Sequence, residues 1–260
     1  MIKSHLSESP AFQDSLVAFL DILGFSDRFK KDRQACVNII ESFSGHNGRC
    51  YDQVAGEVRK ARVSSTSFSD NIAISIPTKA DNNEHSDDLY RPIVTFLMSL
   101  SFYAVEGLKR GFYLRGAIAY GEVYHSSLAI VGDPFIEAVE HEKIAYYPRI
   151  ILSPSALRMI VEIPKKNHYY GWALDEIKRK HFFIHDAIDN TVYFDWLSFY
   201  HALLVQSGDN ESLQTMKDAI SIAIEHICDE ISSAKSLKVL SQLNWLMNYL
   251  DKQLKTWHLS

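Results

Sequence analysis

No stretch of the 260-residue chain stays apolar for the roughly 20 residues that a membrane span requires, so a transmembrane helix is excluded. Cysteine is scarce. Cys36, Cys50 and Cys228 are too few and too scattered for a disulfide framework or a zinc site. With no recognisable signal peptide, this usage points to a reducing cytoplasm. Positive charge is short as well: 27 Lys and Arg against 32 Asp and Glu leave a net charge of −5. A general nucleic-acid binder needs a basic face for its phosphate contacts, so phosphate recognition here is local, and a small nucleotide fits better than a polymer. The sequence also lacks internal repeats and low-complexity runs.

What the chain has in quantity is material for a core. At 47% hydrophobic and 23% charged it can bury one domain with an appendage. Residues 1 to 15 show no clear period and read as a lead-in. Leu16 to Leu20 and Ile22 then form an apolar strand around one carboxylate, Asp21, and the run stops at Gly24. A carboxylate at the edge of a core is costly unless a positive partner sits on it, and a metal ion is one such partner. Gly24 lets backbone approach a ligand closely. The amides of Ile22, Leu23, Gly24 and Phe25 stand between strand and helix, where they can cradle an anion.

Residues 26 to 44 carry Phe29, Cys36, Ile39, Ile40 and Phe43 at helical spacing and predict one helix. Residues 62 to 69 and 71 to 77 predict a hairpin whose tip holds Asp70, because Asp and Asn favour turns. A charged loop (78 to 88) precedes a long helix, 90 to 110, with Ile93, Phe96, Leu97, Leu100, Tyr103, Ala104 and Leu108 inward and Gly111 as its stop. The segment 112 to 124 predicts a central strand with glycines suited to close backbone approach. A helix over 135 to 146, a short strand over 149 to 152 and a helix capped by Ser153 with Pro154 follow. Residues 164 to 180 read as irregular, 182 to 185 and 191 to 194 as a second hairpin, and everything from Asp195 onward as helical. The expected fold is α/β (α+β): a ferredoxin-like palm sheet flanked by helices in a domain spanning 1–194, with a helical C-terminal extension over 195–260 packed on it.

Asp21 and Asp70 both fall at strand ends or turns. If their strands are neighbours, the two acids converge and can hold Mg²⁺ or Mn²⁺ while leaving coordination positions for phosphate oxygens and water. Taken alone, Asp70 is equally explained as a turn cap. Glu137, Glu140 and Glu142 read as a solvated helix face, and Arg115 either reaches a phosphate or pairs with a buried acid. Trp196, Tyr200, Trp245 and Trp257 read as packing among the terminal helices.

Four motifs in sequence resemble class III nucleotidyl cyclases. F-L-D-I-L-G-F-S over 19–26 is similar to the first metal motif, F-x-D-I-x-G-F-T. S-F-S-D-N-I-A-I-S over 67–75 falls where that family has its second metal aspartate, L-R-G-A-I-A-Y-G-E-V over 114–123 follows its glycine-bearing strand, and the segment 132–143 takes the place of its G-D-x-V-N-x-A-x-R helix. The spellings look most like the bacterial pyrimidine cyclases of the Pycsar anti-phage system, above all over Phe135 to Ser153. The resemblance implies a homodimer with shared active sites that converts UTP to 3′,5′-cyclic UMP, or CTP to cyclic CMP, as a messenger for a separate effector protein. It implies two divalent ions on Asp21, Asp70 and a main-chain ligand at Ile22, with Arg115 as a further catalytic residue and phosphates on the amides of Ile22 to Phe25. The Asn and Arg of purine cyclases are replaced by Ile136 or Glu137 and Glu140 or His141. Their base-reading lysine, four positions before the second aspartate, is Thr66, so Thr66, Phe68 and Tyr120 are the expected lining of a pyrimidine pocket. The alternative is an inactive cyclase-like fold that binds nucleotide or dimerises.

Overall fold

A computed structural model describes residues 11–44, 63–78, 90–166 and 182–258. Strand β1 (Gln13–Ile22) starts three residues earlier than its apolar run, because pairing with its neighbours extends to Gln13. The expected single helix over 26 to 44 is two, α1 (Phe25–Lys31) and α2 (Arg33–Ser44). Asp32 breaks it: its backbone is extended (φ −144°, ψ 93°) and its carboxylate accepts from the Ala35 amide at 2.9 Å, starting a second helix. Strands β2 (Ser64–Phe68) and β3 (Asn71–Pro77) form the hairpin, turned through Ser69 (φ 59°) and Asp70. The long helix, α3 (Tyr90–Lys109), buries all seven residues expected on its inner face.

Strand β4 (Leu114–His125) is central and carries a short arm, β5 (Ile130–Val131). Helix α4 (Asp133–Ala145), strand β6 (Ile150–Leu152) and helix α5 (Pro154–Lys166) come next. Residues 164–166 therefore continue a helix; the rest of the segment read as irregular, and residues 79–88 of the charged loop before α3, lie outside the described residues. The second hairpin is β7 (Phe183–His185) and β8 (Val192–Phe194), and helices α6 (Trp196–Ser207), α7 (Asn210–Ser233) and α8 (Leu237–His258) complete the chain. Strand order is β2-β3-β1-β4-β6-β8-β7, antiparallel throughout except for the parallel β4–β6 pair.

Period-two alternation divides β1 between two layers. Leu16, Ala18, Leu20 and Ile22 join Ile72, Ile74 and Ile76 in one large core with α2, α3 and the C-terminal helices. Phe19 faces the other way, with Ala119, against Ala138, Phe135 and Val139 of α4. The C-terminal helices thus share the core of the sheet. They are pinned by Asp195, which caps α6 at the Ser198 amide (3.1 Å) and accepts from Tyr249 Oη (2.6 Å) and Gln253 Nε2 (3.0 Å) of α8. On the far side of β4, the buried guanidinium of Arg149 pairs with Asp186 at 2.6 Å and with Asp189 in the β7–β8 turn, and lies against the rings of Tyr147, Tyr193 and Trp245.

Gly116 of β4 is where close approach is required. A Cβ there would meet the Phe19 carbonyl oxygen and the Leu20 side chain. Gly116→Ala is therefore expected to cost about 1–3 kcal/mol of stability, read as a lowered urea midpoint with an unchanged slope.

Candidate functional site

The site is built where β1, the β2–β3 hairpin and the start of β4 meet. Asp21 pairs in register with Asn71 on one side and Arg115 on the other, so these three side chains emerge on one face. The Ile22 amide donates to the Asp70 carbonyl at 3.0 Å, which fixes the hairpin tip beside the end of β1. Asp70 and Asp21 thereby sit at one edge of the sheet, close enough for the charge of one to act on the other.

Asp21 is not left to solvent. Arg115 Nη2 donates to its Oδ2 at 3.0 Å and also forms an ion pair with Glu142 of α4. Burial raises the Asp21 carboxyl to about 6; Arg115 opposes the rise, while Glu142 and Asp70 add to it. Glu142 is only 5% exposed, so its expected place on a solvated helix face is corrected. It continues the buried stripe Ala138, Glu142, Ala145, a helical spacing visible in the sequence. Glu137 is also engaged: its Oε1 accepts from the Ser155 amide at 3.1 Å, at the start of α5. Glu140 is exposed, as expected.

The turn after β1 keeps the left-handed backbone that favours glycine, with Gly24 at φ 70°. Two of the four amides expected to cradle an anion are already spent, Ile22 on Asp70 and Leu23 on the Tyr113 carbonyl at 2.9 Å. That leaves Gly24 and Phe25. Beyond them, Arg28 of α1 pairs with Glu230 of α7 and lies 5.1 Å from the Phe112 ring centroid, so the C-terminal helices hold the segment that follows the glycine. An open cleft of about 760 Å³ lies there, lined by Gly24, Arg28, Lys31, Arg110 and Lys235 among others.

The residues fit a divalent cation in a restricted sense. Two carboxylates are hard oxygen donors suited to Mg²⁺ or Mn²⁺, and mutual repulsion at Asp21 is relieved by a cation. Among the described residues no group of three or more His, Cys, Asp or Glu converges on a metal position. Asp21 and Asp70 would hold an ion only with oxygens added by the Ile22 main chain, water or phosphate.

Of the three residues expected to line a base pocket, two share the face of Asp21 and one does not. Phe68 pairs with Asn71 and stacks on Phe19, ring centroids 6.3 Å apart, and Thr66 pairs with Ala73. Tyr120 is in register with Leu16, whose side chain enters the opposite layer, so Tyr120 packs into the large core. One residue was not foreseen. His125 at the end of β4 sets its Nε2 3.0 Å from Thr66 Oγ1 and its Nδ1 2.7 Å from Ser75 Oγ. Its partners lie 59 and 50 positions away, so no local pattern announces them.

No family model matches the chain, and no curated protein sequence matches it. Solved structures do. The neighbours are class III nucleotidyl cyclases at low sequence identity. The guanylate cyclase domain of RhGC from Catenaria anguillulae, in complex with GTP, is 18% identical with a TM-score of 0.39, over 57% of this chain and 82% of that one. The catalytic core of a rhodopsin-guanylyl cyclase with converted specificity, in complex with ATPαS, is 18% identical at a TM-score of 0.40, over 57% and 81%. A class III adenylyl cyclase-like ATP-binding protein from Pseudomonas aeruginosa is 13% identical at a TM-score of 0.39, over 65% and 40%.

Burial pulls His125 down from 6.5 to about 4, so the ring is neutral in the folded chain at pH 7. A folded pKa below the unfolded one means that the unfolded chain binds the extra proton first. This residue's contribution to stability is therefore present above about 6.5 and is lost as pH falls toward about 4. Urea unfolding at pH 7 and pH 4.5 should show a larger loss of stability for wild type than for His125→Gln.

Proposed function

We propose that the chain is a nucleotidyl cyclase acting on a pyrimidine nucleoside triphosphate, with UTP as substrate and cyclic UMP and pyrophosphate as products. The observation that carries this reading is the meeting of Asp21 and Asp70 at one sheet edge, joined by the Ile22–Asp70 backbone bond and followed at once by the left-handed Gly24 turn. The first two of the four motifs carry these residues, 49 positions apart from Asp21 to Asp70.

Asp21 and Asp70 would hold the divalent ions, with the Ile22 main chain as an added oxygen donor. Held by these residues, divalent cations would supply charge neutralisation for the triphosphate and a lowered pKa for the ribose 3′-hydroxyl that is to attack the α-phosphate in line. The Gly24 and Phe25 amides donate to phosphate oxygens. Arg115, already between Asp21 and Glu142, orients Asp21 and adds a positive charge beside the negative charge that develops on the phosphates. Phe68 and Thr66 stand on the same face to take the base. Thr66, with a short hydroxyl in place of a long amine, disfavours an adenine-reading pocket.

The working unit in this proposal is a homodimer with shared sites, supported by the exposed apolar Ile136 (57%) on α4 and Phe68 (39%) on β2. In its cellular setting the product would be a cytoplasmic second messenger for an effector in anti-phage defence.

A second reading has its own observation. Arg115 already supplies a cation to Asp21, and among the described residues no third metal-ligating side chain joins the two acids. On that ground the fold would bind nucleotide without turnover. Incubation of the full chain with each of the four nucleoside triphosphates and Mn²⁺ separates the readings. The expected outcome is cyclic UMP, with cyclic CMP the next product, and loss of more than ~100-fold in Asp21→Ala and Asp70→Ala, beyond the range typical of outer-shell changes. Nucleotide binding with no cyclic product from wild type would favour the second reading.

A further inference from the structure

The end of β4 overhangs the start of β1, whose first paired residue, Gln13, faces Val123. His125 lies two positions further on, and its ring crosses to β3 and β2 on the face that carries Asp21, Phe19 and Phe68. Nothing in the metal chemistry uses it. Both ring nitrogens are nevertheless committed, one to Ser75 and one to Thr66.

A neutral imidazole has one N–H donor and one bare acceptor nitrogen, so its two hydroxyl partners are locked in opposite senses. One must donate and the other must accept. Thr66 also lies 3.4 Å from the Ser126 carbonyl, which can only accept. With the Thr66 proton directed there, Nε2 carries the ring proton and donates to Thr66, and Nδ1 accepts from the buried Ser75 hydroxyl. Thr66 is then left with one free lone pair and no free proton. A side chain that would otherwise rotate to suit either kind of partner has become an acceptor only.

We propose that His125 is a positioning residue for base discrimination: it holds the Thr66 hydroxyl as an acceptor, which takes the N3–H of uracil and rejects the bare N3 of cytosine. This rests on the cyclase reading and on Thr66 lining the base pocket. Uracil and cytosine differ at N3 by one hydrogen-bond reversal, and facing two acceptors across a dry contact is what a built site uses to discriminate. A clip that merely stapled β4 over the hairpin would affect stability and both nucleotides alike.

The test is kcat/KM with UTP and with CTP, in Mn²⁺, for wild type, Thr66→Ser, Thr66→Val, His125→Phe, Ser75→Ala and the Thr66→Val/His125→Phe pair. The expected wild-type preference is for UTP. Thr66→Val and His125→Phe, which removes both ring nitrogens, should each reduce the UTP:CTP ratio by ~10-fold, about 1.4 kcal/mol. The double change should go no further, because both remove one device. Thr66→Ser, which keeps the hydroxyl, should keep the ratio. Ser75→Ala frees Nδ1 without altering the ring and should lower the ratio even if His125→Phe folds poorly. An unchanged ratio in both His125→Phe and Ser75→Ala, a wild-type preference for CTP, or additive losses in the double variant would overturn the inference while leaving the cyclase reading intact. If wild type yields no cyclic product, the cyclase reading fails, and calorimetric affinities for UTP and CTP decide the inference in its place: equal affinities in wild type, or a preference that survives His125→Phe and Ser75→Ala, would overturn it.

Discussion

The arrangement depends on one guanidinium. Arg115 stands beside Asp21 on the neighbouring strand and under Glu142 of α4, and it is the only cation paired with either acid among the ion pairs of the described residues. Two carboxylates brought together in a partly desolvated position repel each other and resist ionisation; one shared cation lets a helix carrying an acid lie on a strand ending in an acid. That contact seats α4 over β1 and β4. Burial keeps the Asp21 pKa raised in spite of Arg115, and a second oxygen lies outside the Arg115 bond, so the carboxylate gains from a further positive charge.

Around that contact the fold works by fixing backbone. The Ile22–Asp70 and Leu23–Tyr113 hydrogen bonds weld the end of β1 to the hairpin tip and to the start of β4, so Gly24 is presented from a rigid edge. The C-terminal helices reach the same place from outside through Arg28 and Glu230, and they are held in turn by Asp195 with Tyr249 and Gln253. Asp195 marks the point where the sequence changes character to wholly helical. In the structure it is a buried joint between layers, since α6, α7 and α8 complete the same core as the sheet.

Much of the layout was legible because it follows local periodicity. The alternating run ending at Asp21, the seven inward residues of α3 and the Asp70 turn all follow from spacing and turn chemistry. The division of 26–44 into α1 and α2 has a local cause too: Asp32 caps rather than continues the helix. At Glu142 two signals in the sequence disagree: charge on a helix suggests solvent, while the spacing with Ala138 and Ala145 places it inside. Tyr120 and His125 were of another kind. Which face a strand residue takes, and what waits there, depends on register with strands far away in the chain.

The amino-acid sequence by itself determined most of the elements, the two acids, the glycine turn and the motifs that suggest their chemistry, because each of these is written in neighbouring residues. Only the tertiary structure decided that Arg115 spans Asp21 and Glu142, that half of the expected amide cradle is spent on the protein's own carbonyls, and that His125 meets the hydroxyls of Thr66 and Ser75. The physical reason is the same in all three: charge pairing and hydrogen-bond polarity are properties of groups brought together by strand register and helix packing, and no single segment contains both partners.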